Sequence, residues 1–274
     1  PADPTTVETS IPKEAVVLTA DGKPAALTVS TPIAPISFNE EALSAISGEA
    51  TKDVKITASK VKASTLSAEA QQAVGDHPVF NFSVTSGDKT ISEFGGSISV
   101  AVPYTPKAGE DTDSIVIYYI NAEGNLEIVS NCIYDPATGA VSFKTNHFSQ
   151  YAIGYNKVSF RDVPANAWYS KAVGFIAARG ITTGTGKGNY SPGAKLTRGE
   201  FLVMMMRAYG MAPDTDLTNN FADAGNTYYT GYLAAAKRLG ISGGVGNNMF
   251  APGKAITRQE MFTLLYNTLK VIGQ

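Results

Sequence analysis

The feature that most constrains this chain is that part of it is written twice. Residues 160–201, FRDVPANAWYSKAVGFIAARGITTGTGKGNYSPGAKLTRGEF, align with residues 221–261, FADAGNTYYTGYLAAAKRLGISGGVGNNMFAPGKAITRQEM. Gly180 falls on Gly240, Ile181 on Ile241, Gly184 on Gly244, Tyr190 on Phe250 and Pro192 on Pro252. Each copy reads as helix, glycine-rich loop, helix. A duplicated unit of this size cannot bury its apolar face alone and is expected to stack on its neighbour.

The second helix of each copy opens on nearly the same pentapeptide, LTRGE at 196–200 and ITRQE at 256–260. Thr197 and Thr257 stand three residues before Glu200 and Glu260 and directly before an apolar-periodic run, which is the spacing of a capping box. Arg198 and Arg258 do not belong to that device. They put a cation in the first turn, where the helix dipole favours anions. On spacing alone, a salt bridge to Glu200, Glu260 or a neighbouring acid accounts for them; a bound anion is the other reading. Phe201, Met204 and Met205, with Met261, Leu264 and Leu265, fit a buried stripe on these helices.

Ahead of the repeats the grammar differs. EAVVLTA, ALTVST, VKITASKV, VFNFSVTS, SISVAV, SIVIYYI, LEIVSNCIY, AVSFKT and QYAIGY read as strands, with DGK, SGDK, AEGN and PATG as turn signals between them. NEEALSAIS and LSAEAQQAV read as short helices slotted between strands. The expected fold is multidomain: an all-β, Ig-like sandwich over 1–157, then an all-α helix-loop-helix domain with repeat 1 at 158–217 and repeat 2 at 218–274. A length of 274 residues suits two units.

Composition narrows the function. With 17% charged residues and a net charge of −2, there is no basic stripe of the kind that binds nucleic acid. The single cysteine, Cys132, excludes an intramolecular disulfide and a multi-cysteine zinc site, and its strand-like setting reads as a small buried hydrophobe. No stretch approaches the roughly 18 apolar residues that span a bilayer.

The repeated pattern joins F-x-D, an aromatic pair, an alanine-rich helix ending in G-I, a glycine loop with S-P or A-P, and T-R-x-E. It resembles the S-layer homology module over about 160–272. The preceding GGSISVAVPYTP, YYINAEGNLEIVSN and NHFSQYAIGYN segments resemble, less specifically, a β-rich module of bacterial surface proteins. Two departures stand out. Gly199 and Gln259 occupy a position that is usually alanine, and the modules usually come in threes, which implies a third repeat absent from this sequence.

The resemblance implies a secreted bacterial protein at the cell wall. It would bind, without catalysis, an anionic and often pyruvylated secondary cell-wall polysaccharide attached to peptidoglycan, with the β-sandwich as spacer. Ligand contacts would come from Arg198 and Arg258, the arginines of T-R-x-E. Trp168 and Tyr228, at matching positions, could line a sugar groove or anchor a core. Thr197, Glu200, Thr257 and Glu260 are the structural caps, and Asp162 and Asp223 read as turn caps. An incomplete repeat set also implies self-association, a swapped arrangement, or packing of the sandwich against the open side. No cofactor, metal, nucleic-acid or membrane partner is expected. The alternatives are the anchoring fragment of a secreted glycoside hydrolase and a structural S-layer assembly protein whose sandwich makes protein contacts.

Other signals carry less. GTGKGNYSPG lacks the G-K-[ST] ending of a phosphate loop and follows a helix rather than a strand. His77 and His147 have no ligand partner at metal spacing, and His147 is expected to bond within the sandwich. Hydrolysis of a glycoside needs two facing carboxylates. Glu40, Glu41, Glu93, Glu110, Asp111 and Asp113 all lie in polar, turn-like or helix-start settings. PKAGEDTDS reads as a solvated loop whose acids could at most hold calcium weakly.

Overall fold

Where apolar and polar residues alternate in the first 157 positions, the chain forms strands that bury every second side chain. In the computed structural model, which describes residues 5–17 and 26–273, this holds along much of β4 (Val54–Val61) and β5 (Val79–Ser86). One antiparallel sheet runs β1 (Thr6–Ile11), β4, β5, β12 (Gln150–Tyr155), β8 (Ile115–Ile120) and β9 (Leu126–Ile128), with β6 (Lys89–Ile91) paired to β5. The other runs β10 (Ile133–Asp135), β11 (Ala140–His147), β7 (Glu93–Pro103), β3 (Ile36–Phe38) and β2 (Leu27–Val29). Aromatic side chains join the two sheets. Phe143 of β11 meets Tyr151 of β12 with ring centroids 4.8 Å apart, and Phe148 packs against Phe38, Phe82 and Phe94. Helices α1 (Glu40–Glu49) and α2 (Ala68–Val74) lie where short helices were expected, capped by Asn39 and Ser67.

Two strand expectations need correction, and three strands were not expected. LEIVSNCIY is two strands, β9 and β10, in different sheets; Cys132 lies in the turn between them, 1% exposed, its sulfur taking the Ile117 amide. A short segment with strand-forming residues at both ends does not show that the chain changes sheets within it. In EAVVLTA, residues up to Val17 form a 3₁₀ turn, Lys13–Val17, and the remainder, like the DGK turn, lies outside the described residues. Strands β1, β3 and β6 went unread because they are short or polar on the exposed face.

The chain divides into two compact units, Pro1–Lys157 and Val158–Gln274. In the second, repeat 1 contributes α3 (Ser170–Ala178) and α4 (Arg198–Ala208), and repeat 2 contributes α5 (Thr230–Arg238) and α6 (Arg258–Val271). Helix α4 packs on α5 and α6 of the other repeat. The resulting core holds Leu202, Val203, Met205 and Met206 together with Leu233, Ala236, Phe250 and Leu264. Repeat 1 therefore completes the core of repeat 2. The expected stripe holds in part: Met205 and Leu264 are buried, but Phe201, Met204, Met261 and Leu265 are only half-buried, because this docking places Leu202 and Met206 at the centre of the contact.

Candidate functional site

Each repeat loop is clamped by the aspartate of its F-x-D sequence. Asp162 accepts the amides of Tyr190 (2.8 Å) and Ser191 (2.7 Å), and Asp223 those of Phe250 (2.8 Å) and Ala251 (2.7 Å). The bond from the Tyr190 amide is the main reason the Asp162 carboxyl lies below the usual range. Ser191 and Ala251 are held at φ of 61° and 57°, in the left-handed region that residues with a Cβ seldom adopt. Gly184 and Gly244, at φ of 76° and 80°, leave no room for a Cβ, which would run into the Asn189 and Met249 carbonyls.

The loops deliver the chain to two complete capping boxes. The Thr197 hydroxyl takes the Glu200 amide at 3.2 Å and the Glu200 carboxylate takes the Thr197 amide at 2.8 Å; the matching distances at Thr257 and Glu260 are 3.3 and 2.8 Å. From here the two repeats part company.

Arg198, expected at a polymer, lies inside the protein. It is 4% exposed, its Nε donates to the Phe250 carbonyl at 2.9 Å, its Nη1 pairs with Glu260 at 2.9 Å, and its guanidinium sits 4.6 Å from the Phe250 ring centroid. The Arg198 amide donates to Lys254 O and the Gly199 amide to Pro252 O, both at 2.9 Å. These contacts cross from repeat 1 to repeat 2. Gly199 lies close enough that a Cβ would be 3.2 Å from Pro252 Cβ, Pro252 O and Tyr229 Cδ1. Glu260 thus serves two repeats, capping α6 and holding Arg198. The Thr257 amide first, then the Thr257 hydroxyl and Arg198, hold its carboxyl below the ordinary value against the opposing effect of burial.

Arg258 is the contrast. It is exposed, and among the described residues its side chain makes no hydrogen bond or ion pair. Trp168 is 93% exposed and touches Tyr169 edge-on; Tyr228 is 58% exposed against Tyr229. Neither is a core anchor. Partial burial first, and then the Glu200 carboxylate, raise the Tyr228 phenol. Sequence reasoning missed Phe262 and Tyr266, 69% and 61% exposed on α6. The signal was available, since both align with the buried Leu202 and Met206.

The β-rich unit offers a different kind of polar cluster. Glu110, read as part of a solvated loop, has a side chain only 9% exposed; it accepts from Tyr104 (2.6 Å) and the Lys107 amide (2.9 Å) and meets His77 Nε2 at 2.7 Å. Burial pushes its carboxyl up, but these bonds outweigh that and lower it. Every Glu110 oxygen is committed, and so is His77, whose Nδ1 meets the Val74 carbonyl. His147 bonds to Thr145 and Asn146 and stacks edge-on against Tyr119.

The S-layer homology domain family matches residues 159–202 and 220–262. An amylopullulanase of Thermoanaerobacterium thermosulfurigenes is 30% identical over 193 residues, 68% of this chain and 10% of that protein. The S-layer protein of Bacillus thuringiensis subsp. finitimus is 36% identical, and S-layer protein sap of Bacillus anthracis 34%, each over 113 residues, 41% of this chain and 14% of the relative. The chain thus spans 10 to 14% of the length of these relatives. The amylopullulanase match is longer than the repeat unit and therefore reaches into the β-rich unit.

The chain carries two S-layer homology repeats, over 159–202 and 220–262, a kind of module that anchors surface proteins to the cell wall. It is accordingly a secreted protein associated with the bacterial cell surface. No described helix is long and apolar enough to cross a membrane.

Proposed function

We propose that this chain is a non-catalytic anchor in which the repeats hold an anionic, pyruvylated secondary cell-wall polysaccharide attached to peptidoglycan. The β-rich unit, as an Ig-like sandwich, is the spacer. The observation that carries this reading is the exposed, uncommitted Arg258 at the start of α6, in a family of wall-anchoring repeats. A helix N-terminus with free amides and an adjacent guanidinium suits a ketal carboxylate. Trp168 and Tyr228 supply flat, exposed surfaces for sugar rings. Arg198 acts as a positioning residue, fixing the Phe250 loop and Glu260, while direct ligand contact falls to Arg258.

Sedimentation with purified walls tests this. Arg258→Ala and Trp168→Ala should each lower the bound fraction, and removing the ketal pyruvate from the walls should abolish the difference between parent and Arg258→Ala. Equal binding by parent and Arg258→Ala on untreated walls would sink the assignment.

The amylopullulanase match supports a second reading, in which this pair of modules anchors a secreted glycoside hydrolase. Association of copies through the open sides of the repeat set, as in a surface assembly, belongs to the proposal in either case.

A further inference from the structure

The two repeats meet through an interface whose two sides differ. One side is the start of a second helix: Arg198, Gly199 and the Leu202 and Met206 face of α4. The other is the next repeat's loop and first helix, with the Phe250 and Pro252 carbonyls, Glu260 and α5. Every repeat contains both sides, so a pair that joins once keeps one of each unused.

The unused first side is on α6. Arg258, Phe262 and Tyr266 stand where Arg198, Leu202 and Met206 stand in repeat 1; the phenylalanine and tyrosine are 69% and 61% exposed, their counterparts 0%. The unused second side is on repeat 1. Ala172, Phe175 and Ile176 of α3 match Tyr232, Ala235 and Ala236 of α5, yet Ala172 is exposed and the other two are half-buried, where all three counterparts are buried. Tyr190, Pro192 and Glu200 take the places of Phe250, Pro252 and Glu260.

We propose that this chain associates head to tail, the α6 face of one copy docking on α3 and the 190–200 loop of a second copy. Arg258 then pairs with Glu200 and the Tyr190 carbonyl, as Arg198 does with Glu260 and the Phe250 carbonyl, so a joined copy gives its Arg258 to the interface and polymer contact through Arg258 is left to copies whose α6 side is free. This rests on the self-association stated above and names its register. The charges are complementary, and the docking would cover two aromatic side chains that are otherwise in water. One position differs. Gln259 replaces Gly199, and since even a Cβ at Gly199 would meet its neighbours at 3.2 Å, the contact between copies is looser than the one within a copy. Because the sides are unlike, the contact is heterologous, and each added copy leaves a free side for the next.

Single cysteines test the register. Gln259→Cys and Pro192→Cys lie at the counterparts of Gly199 and Pro252, whose Cβ positions come within 3.2 Å, near the roughly 3.5–4.5 Å that a disulfide spans between Cβ atoms. Native Cys132, 1% exposed, stays silent. Mixed and oxidised, the two variants should form a cross-linked heterodimer, and neither should cross-link to itself. In light scattering, the parent's mass should rise above 28.8 kDa with concentration, and Arg258→Glu combined with Phe262→Ser should return it to the monomer value. A parent that stays monomeric at the highest concentration tested overturns both the register and self-association, leaving the two sides to a further repeat of a longer chain. A Gln259→Cys homodimer, or association indifferent to the double variant, overturns the register alone. Wall sedimentation of Phe262→Ser alone, which leaves Arg258 in place, reports separately on anchoring.

Discussion

The starts of α4 and α6, LTRGEF and ITRQEM, share three of six residues and the same cap, but not the surroundings of their arginines. Both carry a threonine cap, an arginine and a glutamate in the same order, and both close the same capping box. Yet Arg198 is buried between repeats with a carbonyl, a carboxylate and a ring around it, whereas Arg258 stands in solvent. The lesson is that a repeated motif can have one local duty, starting a helix, and a second that depends on what lies next to it. Where a following repeat is present the arginine is a structural key, and where none is present it is a free cation.

The comparison breaks most easily in the apolar face. Leu202→Ala should destabilise the repeat unit by about 2–5 kcal/mol, because Leu202 is fully buried in the inter-repeat core. Phe262→Ala, at the matching exposed position, should stay within about 0.5 kcal/mol. Urea unfolding of both variants, at a concentration low enough that copies do not associate, measures the gap, and equal losses would mean that the α6 face is covered within the chain.

The arginines come next. Arg198→Ala should cost about 2–3 kcal/mol, less than the roughly 3–5 of a fully buried pair because Glu260 keeps 23% of its side chain exposed. The expectation from sequence, that removing a cation from a helix N-terminus is neutral or slightly stabilising, then survives only for Arg258→Ala. That variant should melt like the parent and lose wall binding. A large stability loss at Arg258 would assign it a partner within the chain.

The caps should respond alike and more modestly. Thr197→Ala and Thr257→Ala should each cost roughly 1 kcal/mol, since both boxes have the same geometry. A much larger loss at Thr197 would show that the cap also supports the interface beside it.

The smallest effect is one of pH. The Glu260 carboxyl is held below its ordinary value of 4.5, so the stability it contributes is complete above that value and is lost as pH falls through its lower, folded value. The parent's urea midpoint should therefore fall more steeply below pH 4.5 than that of Glu260→Gln, which keeps an acceptor for the Thr257 amide. Parallel slopes would remove Glu260 from the acid response.

Local physics made much of the molecule legible in the sequence. Alternation marked β4, β5, β8, β11 and β12, and threonine and glutamate spacing marked the starts of α4 and α6, because each of these devices is satisfied within a few residues or by a neighbouring strand. Asp162 and Asp223, read as turn caps, instead hold amides 27 to 29 positions further along the chain. What stayed hidden depended on distant partners. LEIVSNCIY divides between two sheets, Glu110 is drawn into a bonded cluster with His77 and Tyr104, and Arg198 meets groups 52 and 62 positions further along the chain.

By itself, then, the sequence determined that the chain has a β-rich part and a duplicated helical part, where the repeated helices begin, and which family they belong to. Only the tertiary structure decided which of two equivalent arginines is buried and which apolar helix face meets water. The physical reason is that capping and alternation are short-range and repeat wherever their residues repeat, while burial depends on a neighbour. Repeat 1 has one on its α4 side, and the α6 side of repeat 2 faces solvent.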